Sequence, residues 1–145
     1  MPDHDPAPGA PLHEALARAQ AAFDRGLDRV LAEHGLTPGQ YALAALLAAE
    51  GPLPLKQAAG KLGVAPGNVT VIVDNMARDG LVEKRRDEGD RRITHACLTP
   101  LGEARLAALA PVYAETRAAL ASGLTLDEQE ILTRLLRKLA ASARV

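Results

Sequence analysis

The chain has 145 residues, 48% of them apolar and only 2% aromatic, and carries a formal net charge of −1. This length is enough for one domain with a sizeable core and short for two, and a core built from Leu, Ala, Val and Ile favours closely packed helices. Cys97 is the single cysteine, which excludes an internal disulfide and a cysteine-rich zinc site and suits a reducing compartment.

The charge is unevenly distributed along the chain. Between Pro52 and Thr99 the sequence has eight basic and six acidic residues, whereas the remainder has nine basic and twelve acidic residues. The segment from Pro52 to Thr99 is therefore mildly basic, and the rest of the chain is mildly acidic. This asymmetry is a weak indication of nucleic-acid binding.

Prolines dominate the N-terminal residues, which contain almost nothing apolar, so we predict a disordered tail over residues 1–11. The N-terminus has no basic region followed by an apolar run, and the sequence contains no long uninterrupted apolar segment. We therefore expect a soluble, cytoplasmic protein without a membrane partner.

The first half of the chain predicts a series of helices. Apolar residues recur at helical spacing over 12–35, which is typical of a long first helix. Thr37 and Gln40 have the spacing of a capping box, which predicts a second helix over about 38–50. A third, shorter apolar stripe predicts a helix over about 55–62.

The stretch NVTVIV, residues 68–73, is ambiguous. Its β-branched side chains favour a strand by propensity. Pro66 stands at a suitable helix start, however, and Val69, Val73 and Met76 fit one face of a helix. We predict a fourth helix here.

A β-hairpin is predicted after the fourth helix. LVEKRR and RRITHACL are extended runs separated by the glycine-containing turn DEGD. Thr99 and Pro100 begin a fifth helix, and the capping box TLDE at 125–128 begins a sixth. Two short helices with a tight turn, followed directly by a hairpin, form a winged helix-turn-helix.

Three motifs within this region carry a family resemblance: GLVEKR after the fourth helix, DRR in the hairpin and LTPLG at the start of the fifth helix. With their spacing, the chain resembles the MarR family of bacterial transcription regulators. The resemblance implies a mainly α fold in which N- and C-terminal dimerisation helices, 12–35 and 100–142, flank a winged helix-turn-helix lobe over 37–99. Residues 12–142 would then form a single MarR-type domain.

The function that the resemblance implies is DNA binding. A homodimer would bind a pseudo-palindromic operator in double-stranded DNA, usually as a repressor, and a small-molecule effector would release it. The terminal leucine stripes are assigned to the dimer interface by this resemblance, and the alternative is that they pack on their own monomer. Two recognition helices related by a twofold axis would read half-sites about one helical turn apart.

If the fourth helix enters the major groove with its apolar face inward, its other face is left for base contacts. Asn can bind adenine through two hydrogen bonds, and the methyl groups of Thr70 and Val71 can contact a thymine methyl, so this face suits A·T pairs. Val71 stands where the family commonly has an arginine or another polar residue. For the two asparagines, the alternative is ordinary solvated polarity. The candidate base-reading residues are Gly67, Asn68, Thr70, Val71 and Asn75.

The hairpin concentrates arginines and acids in one turn. Arginine suits a narrow minor groove because its charge is weakly hydrated, and Asp90, by pairing with Arg92 or a neighbour, would hold the hairpin so that Arg91 projects toward DNA. Arg85 and Arg86 would contact phosphates, with Lys56 and Lys61 as lesser candidates. The alternative is a solvated cluster of surface ion pairs.

Other signals in the sequence are weaker. In the family, ligands often bind in a crevice between the dimerisation helices and the DNA-binding lobe, so Phe23, Tyr41 and Tyr113 are candidate ligand-lining residues, with core packing as the alternative. We expect no cofactor, no metal site and no enzymatic activity, because no catalytic or metal-ligand motif is present. We do not expect Cys97 to act as a redox sensor, since the resemblance puts the sensing cysteine near the first helix.

Two other functions fit the same sequence. A winged helix can serve as a protein-interaction module, with the basic hairpin contacting an acidic partner. The chain can also be a ligand-binding protein without tight DNA affinity, which the lack of arginine on the groove face favours.

Overall fold

A computed structural model of the chain describes residues 7–143. This part of the chain contains six helices and three short strands, and it confirms the predicted class of a mainly α protein with a hairpin wing. The elements are α1 (Ala10–Glu33), α2 (Pro38–Glu50), β1 (Leu53–Pro54), α3 (Leu55–Leu62), α4 (Pro66–Arg78), β2 (Val82–Arg86), β3 (Thr94–Leu98), α5 (Pro100–Ala121) and α6 (Leu126–Ser142).

Two helices begin at the predicted capping boxes. The Gln40 backbone N–H donates to Thr37 Oγ1 at 3.2 Å, and the Thr37 N–H donates to Gln40 Oε1 at 3.1 Å. Thr125 and Glu128 make the same reciprocal pair at the start of α6. Each box satisfies N–H groups that the first turn of a helix otherwise leaves without a partner, which explains why α2 and α6 begin at these residues.

The ambiguous stretch is helical, as predicted. Gly63 ends α3 with a φ of 67°, a left-handed conformation that glycine adopts without strain, and Pro66 begins α4 two residues beyond Val64. Val69, Val73 and Met76 are buried on one face of α4. Their burial on a common helical face overrides the strand propensity of the individual residues.

The hairpin is confirmed and belongs to a three-stranded antiparallel sheet in the order β1-β3-β2. In β2 and β3, Val82 pairs with Leu98 and Arg86 with Thr94. In β1, Leu53 pairs with Ala96 on the other edge of β3. Strand β1 was not predicted from the sequence, because a strand of two residues has no periodic pattern and forms only against a distant segment.

The chain divides into two compact units. One contains the described parts of residues 1–27 and 114–145, and the other is Asp28–Tyr113. The second unit holds the aliphatic core, where Leu31 and Leu109 are fully buried. This division falls inside α1 and α5, because the last turns of α1 and the first half of α5 pack into this core. The single MarR-type domain over residues 12–142, with its lobe over 37–99, stays a prediction.

Residues 1–6 of the predicted tail lie outside the described residues. Helix α1 begins at Ala10, so Ala10 and Pro11 are helical. Proline is accepted there because the first turn of a helix does not use its N–H groups. Within residues 7–143, no helix combines the length and apolar character that a membrane crossing requires.

Candidate nucleic-acid interface

Helix α4 exposes the face that the sequence assigned to base contacts. Gly67, Asn68, Thr70 and Val71 are exposed, on the side opposite the buried Val69. Asn75, near the end of the helix, is only half-buried and not fully outward as predicted. The first two turns of α4 therefore carry the accessible candidate residues.

The exposed face of α4 is uncharged along these turns. The sequence from Pro66 to Val73 contains no acidic or basic residue. The hydroxyl of Thr70 donates to the backbone carbonyl of Pro66 at 3.1 Å, so it is engaged within the helix. The side chain of Val71 is exposed to 59%. This face offers amide groups and methyl groups to a partner.

The acids of the hairpin turn form local hydrogen bonds that fix its shape. The Asp87 carboxylate accepts from the backbone N–H groups of Gly89 and Asp90, each at 2.9 Å. The Asp87 N–H donates to the Ile93 carbonyl at 2.9 Å, and the Ile93 N–H donates to the Asp90 carbonyl at 3.0 Å. The turn between β2 and β3 is therefore held by its own aspartates.

Asp90 also holds Arg92. The Arg92 Nε and Nη2 groups each donate to the Asp90 carboxylate at 3.1 Å, and the Arg92 backbone N–H donates to it at 3.0 Å. These bonds lower the pKa of Asp90 and raise that of Arg92. Folding lowers the pKa of Asp90. The ionised Asp90 carboxylate therefore contributes fully to the stability of the folded protein above the ordinary aspartate pKa of 3.8. This contribution is lost only as the pH falls through the lower pKa of the folded state. The pairing of Asp90 with Arg92, the Asp90–Arg92 brace, is therefore intact at neutral pH.

The Asp90–Arg92 brace orders the side chain of Arg92 without burying it. The Arg92 side chain is 91% exposed despite its bonds to Asp90. Arg91 is exposed in the same turn, and within residues 7–143 its side chain has no hydrogen bond or ion pair. The tip of the hairpin thus presents one ordered and one free guanidinium group.

The neighbouring arginines of β2 lie on opposite faces of the hairpin, because side chains alternate along a strand. Arg85 Nη2 donates to Glu83 Oε2 at 3.1 Å on one face, and this bond raises the pKa of Arg85. Arg86 shares the other face with Lys84. The structure therefore does not bring Arg85 and Arg86 together on one side of the hairpin.

The hairpin face that carries Arg86 adjoins α4. Lys84 Nζ donates to Asp74 Oδ1 of α4 at 2.7 Å and links the hairpin to this helix. A groove of about 350 Å³ runs between the two elements. Lys84 was not among the predicted contact residues, although its alternation with Arg86 along β2 places the two side chains on one face. The groove is lined by Leu55, Thr70, Asp74, Lys84, Arg86 and Thr94.

A second groove, of about 680 Å³, lies beside the starts of α3 and α4. Its lining residues include Lys56, Thr70 and Arg92. Lys61, by contrast, donates to Glu50 Oε1 at 2.8 Å, so its charge is paired with a carboxylate of α2. Of the two lysines predicted as lesser phosphate contacts, Lys56 is therefore the one beside the candidate interface.

The candidate ligand-lining aromatics belong to different units of the chain. Tyr41 and Tyr113 stack with ring centroids 4.5 Å apart and an interplanar angle of 27°, and both pack against the core of the second unit. Phe23 lines an apolar crevice of about 600 Å³ in the first unit. The tyrosine contacts have the character of core packing.

The first unit exposes a leucine-rich face. No residue of α6, described from Leu126 to Ser142, is buried. Leu132, Leu135 and Leu139 recur at helical spacing on α6 and are all exposed, and Leu132 also lines the apolar crevice with Leu16 of α1. Contiguous apolar surface of this kind marks an interaction site in a folded protein.

Cys97 is buried in β3. Burial restricts the access that a reactive thiol needs. Within residues 7–143, no group of three or more His, Cys, Asp or Glu side chains is placed to hold a metal ion.

A helix-turn-helix whose second helix, α4, has an exposed face, together with an arginine-bearing hairpin beside it, defines a winged helix-turn-helix DNA-binding protein. A model of the MarR family matches residues 34–93. The transcriptional regulator YkoM of Bacillus subtilis (strain 168) is 35% identical over 127 residues, covering 88% of this chain and 82% of YkoM. MhqR of the same organism is 30% identical over 133 residues, covering 92% of each chain.

The same fold occurs in a solved complex with DNA. A mutant of MarR from E. coli bound to operator DNA matches with a TM-score of 0.83 and 24% identity, over 90% of this chain and 94% of that one. The chain belongs to the MarR family. It is a DNA-binding transcriptional regulator and not an enzyme.

Proposed function

We propose that the protein is a repressor that binds a pseudo-palindromic operator as a homodimer and is released by a small-molecule effector. The observation that carries the proposal is the pairing of α4, whose first two turns have an exposed and uncharged face, with an arginine-bearing hairpin whose turn is already ordered. A dimer bound to promoter DNA excludes polymerase from the same DNA, which gives repression. Because the partner is chromosomal DNA, the protein acts in the cytoplasm.

In this proposal α4 lies in the major groove and the hairpin tip reaches the minor groove. Gly67, Asn68, Thr70, Val71 and Asn75 face the bases, and Arg85 and Arg86 contact phosphates on either side of the hairpin. Arg91 enters the minor groove, where the negative potential is strong over A·T-rich DNA. Asp90 and Arg92 hold the turn that presents Arg91.

The exposed leucine face of the first unit supports the homodimer. When two copies bring these faces together, apolar surface is removed from water. Its burial contributes a favourable free energy of roughly 25 cal/mol per Å². One recognition helix alone rarely provides enough affinity for an operator, whereas two linked helices bind cooperatively. A second copy of the chain is therefore the proposed occupant of the face that carries Leu132, Leu135 and Leu139.

The effector proposal involves the aromatic residues. Phe23 lines the apolar crevice of the first unit, whereas the rings of Tyr41 and Tyr113 stack on each other and would have to separate to admit a planar apolar ligand. A ligand that binds only the form without DNA would weaken operator binding by its differential affinity for the two forms.

The direct test is a fluorescence anisotropy titration against DNA from the region upstream of the gene, with scrambled DNA as competitor, at several salt concentrations. We expect specific binding whose affinity falls steeply with salt, because phosphate contacts release counterions. Equal, weak binding to both DNAs would contradict the proposal and favour a protein-interaction or ligand-binding function. A promoter-reporter assay then gives the sign of regulation, with repression expected.

Replacing Arg91 with alanine is expected to weaken operator binding by about 1–3 kcal/mol and to reduce the salt slope by about one. The reason is the loss of one guanidinium from the minor groove, since Arg91 has no partner within the protein among residues 7–143. Anisotropy titrations over a salt series measure both quantities. Lys61→Ala is the control, because Lys61 is bound to Glu50. An unchanged salt slope in Arg91→Ala would contradict the role of the hairpin.

Replacing Asp90 with alanine is expected to weaken operator binding by about threefold to tenfold, although it removes a negative charge near DNA. Without Asp90, the Arg92 side chain loses its ordering hydrogen bonds and must be immobilised on binding. Glu88→Ala serves as the control, since it removes the same charge from the same turn. Tighter binding by Asp90→Ala would show that the carboxylate repels DNA more than it orders the hairpin.

A further inference from the structure

We infer that α4 recognises the 5-methyl group of pyrimidines in the major groove, so that thymines of the operator are read through methyl contacts with Thr70 and Val71. The inference rests on the proposed function, because it assumes that α4 enters the major groove. It goes further in naming the chemical group that is read and the two side chains that read it.

The first observation is the absence of the usual guanine-reading groups. Arginine and lysine bind guanine through its O6 and N7 atoms, and carboxylates accept from cytosine. None of these residue types occurs between Pro66 and Val73. The first charged residue of the helix is Asp74, whose carboxylate accepts a hydrogen bond from Lys84 at 2.7 Å. The first two turns of α4 therefore lack the residue types that most often read G·C pairs directly.

The second observation is the state of Thr70. Its hydroxyl donates to the carbonyl of Pro66, four residues earlier, at 3.1 Å. A threonine whose hydroxyl is engaged with its own helix presents its methyl as the free group. Thr70 is exposed and lines both grooves between α4 and the hairpin. It thus presents a methyl group on the face proposed to meet DNA.

The third observation is the exposure of Val71. Within α4, all of which the structure describes, Val69, Val73 and Met76 are buried, whereas Val71 is 59% exposed. An exposed valine contributes nothing to the fold that alanine would not, and alanine is the better helix former. Contact with another apolar group would remove its side chain from water, and in the major groove the thymine methyl is the apolar group that a base pair presents.

The three observations combine into one recognition surface. Asn68 lies on the same exposed face and can bind adenine through two hydrogen bonds, while the methyl groups of Thr70 and Val71 contact the thymine methyls of A·T pairs. Uracil and cytosine lack the 5-methyl group, whereas 5-methylcytosine carries it at the same position. The affinity of the protein should therefore depend on this methyl group in itself.

The test uses the upstream DNA fragment synthesised with either dTTP or dUTP, and the full-length protein. We expect the uracil fragment to bind more weakly by about fourfold for each thymine methyl that the protein buries, and by more than about tenfold over two half-sites. Single dT-to-dU replacements then locate the thymines that are read. At such a position, a G·5-methylcytosine pair should bind more tightly than a G·C pair, because the two differ only in the methyl group.

Two variants assign the effect to the named side chains. Val71→Ala removes the valine methyls from an exposed helical site, and Thr70→Ser removes one methyl while keeping the hydroxyl that bonds to Pro66. Both should melt like the wild type, bind the thymine fragment more weakly and discriminate less between thymine and uracil. Asn68→Ala is the matched control, which should lose affinity for both fragments and keep the discrimination.

The outcomes separate the inference from the proposed function. Specific binding of the wild type with equal affinity for both fragments would overturn the inference and leave the proposed function intact. Undiminished discrimination in the Thr70→Ser and Val71→Ala double variant would overturn the assignment and favour reading through DNA shape. Failure to bind the thymine fragment specifically would overturn the proposed function and the inference with it.

Discussion

Replacing Leu135 with glutamate is expected to produce a folded monomer whose affinity for the operator is lower by about 10²- to 10⁴-fold. Leu135 is 52% exposed on the leucine-rich face of α6, so the monomer has no need of it as a core residue. In the proposed dimer the same position is buried against the second copy, where an unpaired carboxylate is strongly unfavourable. Without the dimer, the two half-sites of the operator are bound independently.

The control for this variant lies on the same helix. Leu126 is nine residues from Leu135 and therefore about 2.5 turns away, on the opposite side of α6. It is 82% exposed, and glutamate near a helix N-terminus is favourable, so Leu126→Glu should remain a dimer that binds DNA normally. Sedimentation velocity at micromolar concentration, circular dichroism and anisotropy measure assembly, folding and affinity separately. A wild type that sediments as a monomer, or a dimeric Leu135→Glu protein, would contradict the proposed interface.

Replacing Gly102 with alanine is expected to lower the free energy of unfolding by about 3 kcal/mol. Gly102 is buried in the first turn of α5, where an alanine Cβ would overlap the carbonyl oxygen of Leu81 and lie 2.7 Å from Leu98 Cδ1. A backbone oxygen cannot move aside as a flexible side chain can. The Gly102 N–H also donates to Thr99 Oγ1 at 3.1 Å, which fixes this turn of the helix in place.

Gly60→Ala provides the matched comparison for Gly102→Ala. Gly60 lies within α3, and a Cβ there would have no atom within 4 Å. Alanine loses less conformational freedom than glycine when a helix forms, so this variant should be more stable by about 0.5–1 kcal/mol. Urea denaturation of both variants at one protein concentration measures the difference. Wild-type stability in Gly102→Ala would show that α5 can shift away from Leu81 at little cost.

Much of the helical structure follows from the local sequence. Several helix ends depend on partners within about four residues. They are the capping boxes at Thr37 and Thr125, the turn at Gly63 and the helix start at Pro66. Such contacts can be read from a few neighbouring residues, without knowledge of the tertiary structure. The hairpin was predictable for a related reason, because two extended runs joined by a short glycine-containing turn pair with each other.

The candidate interface was only partly predictable. The pairing of Asp90 with Arg92 spans two residues and was expected from the sequence. The half-burial of Asn75 depends on how the end of α4 packs, and helical periodicity places it on the outer face. The alternation of β2 separates Arg85 from Arg86, but which of the two faces α4 depends on the sheet's contact with that helix.

By itself, the sequence determined the order of the helices, their caps, the hairpin and the residue types that the recognition helix exposes, since all of these depend on periodicity and short-range contacts. Only the tertiary structure decided the strand β1, the link from Lys84 to Asp74 and the burial of Cys97. It also decided that Thr70, whose hydroxyl donates to the Pro66 carbonyl, lines a groove shared with the hairpin. These features join segments that are distant along the chain, and their energies depend on distances that the folded backbone sets.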